Sequence, residues 1–233
     1  MSGRVVLVTG AASGLGLELA IAFASRGDKV AICGRDETRM AEASARVTQV
    51  TSADHLRIVT DLSDTSSLAQ VVDQVIARWG RLDVLINNAA IAPRLPIGQS
   101  DAATVRSIFD VNVLAPHELC RLAWPHFERQ QNGLVINISS LAAVDPLGGF
   151  SAYGGSKAWI EALTHAINTE GNASGISAFA IRLGAMDTKM LRQAVPEFPA
   201  ELSLTPQEVA RRIVELAIDP SKRTSACIEI VPD

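Results

Sequence analysis

The sequence predicts an α/β fold: one domain built as a doubly wound parallel sheet, about seven strands with helices on both faces. Three observations predict it. Short apolar runs rich in Val, Ile and Leu alternate with longer segments whose apolar residues recur at helical spacing. No linker or internal repeat interrupts that alternation over 233 residues, so 1–233 reads as a single unit. The residues of chemical interest, Gly10, Arg35, Asp61, Asn88, Ser140 and Gly184, each follow the end of an apolar run. In doubly wound folds, ligands sit beyond the carboxyl ends of the strands.

In order, Val5–Val8 is an apolar first strand that enters Thr9-Gly10-Ala11-Ala12-Ser13-Gly14-Leu15-Gly16. Leu15, Leu19, Ala20, Phe23 and Ala24 then recur at helical spacing, and Gly27 stops that helix. Lys29–Cys33 is a second strand, followed by Gly34-Arg35-Asp36 and a polar helix to about Val50. His55–Thr60 is a third strand ending at Asp61-Leu62. Asp64 is placed to cap a helix with an apolar stripe of Leu68, Val71, Val72, Val75, Ile76 and Trp79, closed by Gly80. Leu82–Ile86 is a fourth strand, ending in Asn87-Asn88-Ala89-Ala90.

Past Pro93 and Pro96, a helical region runs from about Asp101 to Gln131, with breaks expected near Pro116 and Pro125. Leu134–Ile138 is a fifth strand delivering Ser139-Ser140, and the helix carrying Tyr153 runs to about Thr169. Ile176–Leu183 is a sixth strand. Gly184 to Leu204 reads as irregular, Thr205-Pro206 starts a helix to about Ile218, and Cys227–Val231 is the last strand.

At 48% hydrophobic the chain can bury a sizeable core. A net charge of −4 argues against nucleic acid or an anionic membrane surface as the main partner. No apolar run approaches the roughly 18 residues of a membrane span. The start reads as a strand rather than a signal peptide, and three distant cysteines, Cys33, Cys120 and Cys227, suit free thiols in a reducing compartment. A cytoplasmic location is the expectation. His55, His117, His126 and His165 show no metal-ligand spacing, so no metal is expected.

Gly10, Gly14 and Gly16, between a strand and a helix, permit a tight turn and let backbone N–H groups of Ser13, Gly14 and Leu15 approach a pyrophosphate at the positive end of the helix. The residue after the second strand selects the cofactor: an acid binds a ribose 2′-hydroxyl, whereas an arginine accommodates a 2′-phosphate. Here that residue is Arg35, which favours NADP(H). If Arg35 only pairs with Asp36 or Glu37, NAD(H) stays possible. Asp61 could accept a hydrogen bond from an adenine amino group, or simply cap a turn.

Tyr153 is the only tyrosine in the sequence, and Lys157 follows four positions later. On a helix the two share a face. A nearby ammonium favours phenolate, which would bring Tyr153 towards acid/base work near neutral pH.

These motifs together resemble the short-chain dehydrogenase/reductase family, a Rossmann-like fold, over nearly the whole chain. Thr9-Gly10-x-x-x-Gly14-x-Gly16 is similar to its cofactor turn, Asp61-Leu62 to its adenine-binding pair, and Asn87-Asn88-Ala89-Ala90 to its N-N-A-G motif. Asn112 stands where the family has its helix asparagine, Ser140 lies 13 residues before Tyr153, and Lys157 completes Y-x-x-x-K. The segment Gly184 to Thr188 resembles the one that contacts the nicotinamide carboxamide.

The resemblance implies an oxidoreductase acting on a carbonyl or alcohol, as a homodimer or homotetramer. It implies Tyr153 as proton donor or acceptor, Ser140 as hydrogen-bond donor to the same oxygen, and Lys157 as tuner of Tyr153 and holder of the nicotinamide ribose. Asn112 is implied to position a water linking Lys157 to solvent. Ser139 competes with Ser140, and only the spacing prefers Ser140. Ala90 replaces a glycine, Leu183 replaces the usual proline before Gly184, and Val231-Pro232-Asp233 lacks a glycine-rich tail often used in quaternary contacts.

Val144, Phe150, Met186 and Met190 fall near positions that flank the substrate in the family, and 188–204, with Pro196 and Pro199, reads as a short lid. A small, rather apolar substrate follows. Trp79 and Trp159 read as core. Two further readings are an NAD(H)-linked alcohol dehydrogenase and a non-catalytic dinucleotide sensor, which would have no need of Asn112, Ser140, Tyr153 and Lys157.

Overall fold

The strand β1 (Val5–Thr9) shows why the chain folds in layers: its side chains alternate between two apolar clusters, Val6 and Val8 in one, Val5 and Leu7 in the other. A strand that is apolar on both sides needs helices on both faces of its sheet. The computed structural model describes residues 3–52 and 54–232. It supplies β2 (Lys29–Gly34), β3 (His55–Val59), β4 (Val84–Asn87), β5 (Gly133–Ser140), β6 (Ile176–Leu183) and β7 (Cys227–Ile230). The seven strands form one parallel sheet in the order β3-β2-β1-β4-β5-β6-β7.

One face is covered by α1 (Gly14–Ala24), α2 (Glu37–Val50) and a C-terminal helix, Pro206–Ile218, with Leu19, Phe23, Met40 and Ile213 fully buried there. The other face takes α3 (Leu68–Trp79), α4 (Ala102–Phe109), α5 (Ala115–Gln130) and α6 (Ser151–Gly171), with Leu68, Val75, Leu119, Phe127 and Ile167 in its core. The strand order reverses between β1 and β4, which opens a crevice at their carboxyl ends.

Several boundaries differ from those read in the sequence. The helical region 101–131 breaks at a π turn, Asp110–Leu114, and not at its prolines. Pro116 sits in the first turn of α5, where a missing N–H costs nothing, and Pro125 lies inside the helix. The segment 184–204 is not wholly irregular: Thr188 caps α7 (Lys189–Ala194), and a 3-10 turn follows at Ala200–Leu202. The helix Pro206–Ile218 is then α8, capped by Thr205 as expected. Asp64 caps a 3-10 turn, Thr65–Ser67, that leads into α3.

Cys33, Cys120 and Cys227 are free; the first two are buried and their thiols are pushed up to about 12 by burial, which makes them inert. Cys227 is only half-buried. Trp79 and Trp159 are half-buried rather than core: the indole of Trp79 donates to Asp54 (3.1 Å), and Trp159 meets the His117 ring edge-on at 5.8 Å. Among the described residues no helix is long and apolar enough to cross a membrane, and no cluster of His, Cys, Asp and Glu could hold a metal ion.

Candidate active site

The crevice is built on one buried hydroxyl. Thr9 Oγ1 donates to the Ile86 carbonyl (3.2 Å) and accepts from the N–H groups of Asn88 (3.0 Å) and Ala89 (3.1 Å). The Asn88 amide donates back to the carbonyls of Thr9 (2.8 Å) and Gly10 (3.3 Å). The ends of β1 and β4 are thereby locked side by side. Asn88 thus shapes the glycine turn from beneath.

Gly10 (φ +66°) and Gly14 (φ +55°) occupy left-handed backbone conformations that other residues adopt at a cost. A Cβ on Gly16 would lie 2.4 Å from the Gly10 carbonyl oxygen and 2.5 Å from Asn88 Nδ2. Gly16→Ala is therefore expected to destabilise the protein by about 1–3 kcal/mol and to weaken dinucleotide binding, read by chemical unfolding and by titration with NADPH. Ser13 is the N-cap residue of α1, yet its side chain makes no capping bond, so the first N–H groups of α1 and the Ser13 hydroxyl stay available to an anion. Leu15 is buried beneath them. Thr188 closes the turn from above: its methyl would lie 3.4 Å from a Cβ on Gly14.

At the end of β2, the competing explanation of Arg35 does not hold. Asp36 caps α2 through the Arg39 N–H (3.0 Å) and pairs with Arg39, while Glu37 pairs with Arg57. Arg35 is exposed and, among the described residues, forms no hydrogen bond or ion pair. Asp61 holds the N–H (3.0 Å) and hydroxyl (2.9 Å) of Ser63 on one oxygen, which together with the charge of Arg35 keeps its carboxyl below the usual range. It caps a turn and is exposed. Leu62 is buried beside it.

On the other side of the crevice, β5 runs two residues further than the sequence suggested, so Ser139 and Ser140 obey its alternation. Ser139 is buried and donates to Glu161 (2.7 Å), which is paired with Arg182 (2.7 Å). Ser140 points the opposite way and caps the turn Leu141–Ala143 (3.2 Å to the Ala142 N–H). Strand geometry thus turns Ser139 to Glu161 and leaves Ser140 as the serine beside Tyr153.

Tyr153 lies in the first turn of α6, half-buried, with Phe150 packed edge-on at 6.0 Å. Gly154 makes the approach possible: a Cβ there would lie 2.3 Å from the Ala142 carbonyl oxygen. Burial pushes the phenol up, and the Ser140 hydroxyl opposes that as a hydrogen-bond partner. Lys157 is 3% exposed; burial brings its ammonium down to about 8, and Nζ donates to the Ile138 carbonyl (2.7 Å). Nζ lies 5.7 Å from the Tyr153 ring centroid, on the same helix face as expected. The expected lowering of Tyr153 by Lys157 is corrected here, because the ammonium is turned to a backbone carbonyl and desolvation dominates.

Asn112 is buried and fully engaged through its side chain. Its oxygen accepts from the Ile91 N–H (2.9 Å), and its amide donates to the Ile91 carbonyl (3.0 Å) and to Ser156 Oγ (3.0 Å). Ser156 in turn donates to the Tyr153 carbonyl (2.6 Å). Both amide hydrogens are used, so the side chain ties the loop after β4 to the turn carrying Tyr153.

Of the candidate substrate contacts, Phe150 is buried against Tyr153, and Met186 packs on the core and pairs with Leu204 at the base of the lid. Val144 (60% exposed) and Met190 (40%) stand open to solvent with Ile97, Leu147 and Leu202, which the sequence did not single out. Gly184 follows β6 and is held by its N–H to the Ile230 carbonyl (3.0 Å). Sequence reasoning also missed a buried ladder in which Asn87 donates to Asn137 (2.8 Å) and Asn137 to Thr164 (2.8 Å), tying β4, β5 and α6 together. The available signal was a polar Asn137 inside the apolar run Leu134–Ile138.

Comparison with known proteins matches this arrangement. A family model described as short chain dehydrogenase matches residues 4–198. A cis-4-hydroxycyclohexanecarboxylate dehydrogenase of Sinomonas cyclohexanicum is 32% identical, over 93% of this chain and 90% of that protein. A 2,3-dihydro-2,3-dihydroxybenzoate dehydrogenase of Escherichia coli (strain K12) is also 32% identical, over 94% of this chain and 91% of that protein. The crystal structure of a metagenomic short-chain oxidoreductase in complex with NADP superposes with a TM-score of 0.86 at 26% identity, covering 100% of this chain and 99% of that one. Glycine turn, paired strand ends and the Ser140–Tyr153–Lys157 corner thus come with an extended match in sequence and shape, and the chain belongs to the short-chain dehydrogenase family of oxidoreductases.

Proposed function

We propose that this protein transfers a hydride between NADP(H) and the carbonyl or secondary alcohol of a small ring compound, with Tyr153 as the acid/base. The observation that carries the reading is the meeting of Ser140, Tyr153 and Lys157 at one corner of a crevice whose floor is the glycine turn. The residues fit a dinucleotide: positive-φ glycines, uncapped N–H groups of α1 and an unpaired Arg35. Gly10, Ser13, Gly14, Leu15 and Gly16 would hold its pyrophosphate, Asp61 and Leu62 its adenine, and Asn88, Ala89, Gly184 and Thr188 the nicotinamide half. When bound, the nicotinamide supplies or accepts the hydride.

The chain's own residues then handle the proton. A phenol kept protonated by burial is the form that donates to a carbonyl oxygen, which suits the reducing direction. Ser140, whose oxygen is held by the Ala142 N–H, would donate its own hydroxyl hydrogen to the same oxygen, stabilising developing negative charge. Lys157 would leave the Ile138 carbonyl for the ribose hydroxyls and so favour the phenolate left behind. Val144, Phe150, Met186 and Met190 would give the substrate an apolar seat. The ring hydroxyls named for the two 32%-identical relatives support a small cyclic substrate. Assembly as a homodimer or homotetramer in the cytoplasm completes the reading.

Arg35 supports NADP(H) over NAD(H). Arg35→Ala is expected to raise the Kd for NADPH by about 10- to 100-fold while changing that for NADH by less than about threefold, as a charge-assisted contact to a 2′-phosphate requires. Equal losses for both cofactors, or none, would remove the preference. A panel of cyclic ketones with NADPH tests the activity: cofactor binding without oxidation of NADPH by any of them would return the protein to the sensor reading.

A further inference from the structure

Arg94, in the loop after β4, occupies an unusual place beside this site. Its Nε donates to the Gly148 carbonyl (3.2 Å), and its stem lies against Gly149, where a Cβ would come within 2.8 Å of Arg94 Cγ. Gly149 is in the left-handed region (φ +90°), and its carbonyl accepts from the Leu95 N–H (2.8 Å). The root of Arg94 is therefore fixed one residue before Phe150, the side chain that packs on Tyr153.

The head of Arg94 is much less engaged. Nη1 stands 3.6 Å from Glu197 Oε1 in the lid, too long for a hydrogen bond, and the two side chains are 45% and 72% exposed. Such a pair is readily displaced. By contrast Arg192, also in the lid, is committed to Asp187 (2.8 Å) and to the Phe198 carbonyl (2.7 Å). A guanidinium has five donors in a planar fork that matches a carboxylate with two bonds. Two large apolar side chains left exposed stand close to it in sequence: Ile97, three residues on, and Leu147, next to the Gly148 that accepts from Arg94.

Resting on the oxidoreductase reading above, we propose that Arg94 is the specificity residue for a carboxylate on the substrate, and that Glu197 is the internal carboxylate which this group displaces. The substrate class is then a small ring alcohol or ketone with an apolar body and one carboxylate remote from the reacting carbon. The lid is linked to recognition, because the incoming carboxylate takes the position that Glu197 holds in the free protein.

The test uses 4-oxocyclohexanecarboxylate and its methyl ester, titrated calorimetrically into the full chain saturated with NADP⁺, a pairing that cannot react. The parent is expected to bind the acid more tightly than the ester. Arg94→Gln is expected to weaken the acid by about 10- to 100-fold and the ester by less than about threefold, collapsing the preference; Arg94→Lys recovers part of it. Glu197→Gln is expected to tighten the acid by about threefold by removing its competitor. Equal effects of Arg94→Gln on both ketones, no preference in the parent, or binding of neither ketone overturns the proposal. Reduction of the ester by NADPH in a parent that shows no acid preference overturns Arg94's role alone. Binding of NADP⁺ with no reduction of any ketone overturns the oxidoreductase reading and this proposal with it.

Discussion

Lys157→Met is expected to abolish useful turnover and at the same time to stabilise the cofactor-free protein. The ammonium of Lys157 is buried and brought down to about 8 by desolvation, against about 10.5 in an unfolded chain. Between those values the unfolded chain binds more protons, so the parent's stability rises with pH from about 8 towards about 10.5. Below about 8 the full cost is present, on the order of 3 kcal/mol. Methionine fills a similar volume without charge. Losing the bond to the Ile138 carbonyl trims the gain, leaving the variant more stable at pH 7 by on the order of 2 kcal/mol. Urea unfolding at pH 7 and pH 10 checks this: the gap should close at the higher pH. A variant less stable at pH 7 would mean that the ammonium is well solvated in the folded protein. Stability surrendered at a functional site is the general expectation where a charge must be buried to act.

Tyr153→Phe is expected to lower kcat by about 10²- to 10⁴-fold while leaving the Kd for NADPH within about threefold of the parent. The ring is held by its edge contact with Phe150 and by the Ser156–Asn112 bonds to its backbone, none of which involves the phenol oxygen. The variant therefore keeps the site's shape and loses only the proton and one partner of Ser140. Its thermal stability should change little, because the ring contacts are kept and the bond lost to Ser140 is offset by a hydroxyl that no longer has to be desolvated. A parallel loss of cofactor affinity would show that Tyr153 works mainly as a structural contact.

Much of the molecule was legible in the sequence because its signals are local. β-branched runs gave the strands, and a strand–glycine–helix junction located the crevice. The i, i+4 relation of Tyr153 and Lys157 survived into the structure as a shared face. What was not legible depends on partners distant in sequence. Asn112 spends its amide on Ile91, 21 residues away, and on Ser156, 44 residues away. Lys157 turns to Ile138, and the phenol is raised by its own burial instead of being lowered by the ammonium. In the sequence only the 13-residue spacing to Tyr153 separated the two serines, since a strand end misplaced by two residues leaves its last side chains without a defined face. The short helix α7 was hidden by its length, six residues, and by the prolines that follow it.

The central claim is that Tyr153 supplies the proton for a hydride transfer at this corner of the crevice. A single-turnover experiment tests it most directly: full chain premixed with NADPH, then mixed with a cyclic ketone, with nicotinamide absorbance followed across pH for the parent and for Tyr153→Phe. The account predicts a fast, pH-dependent loss of absorbance in the parent and a loss slower by about 10²-fold or more, and flat with pH, in the variant. A Phe variant that reproduces the parent's rate and pH profile would contradict it.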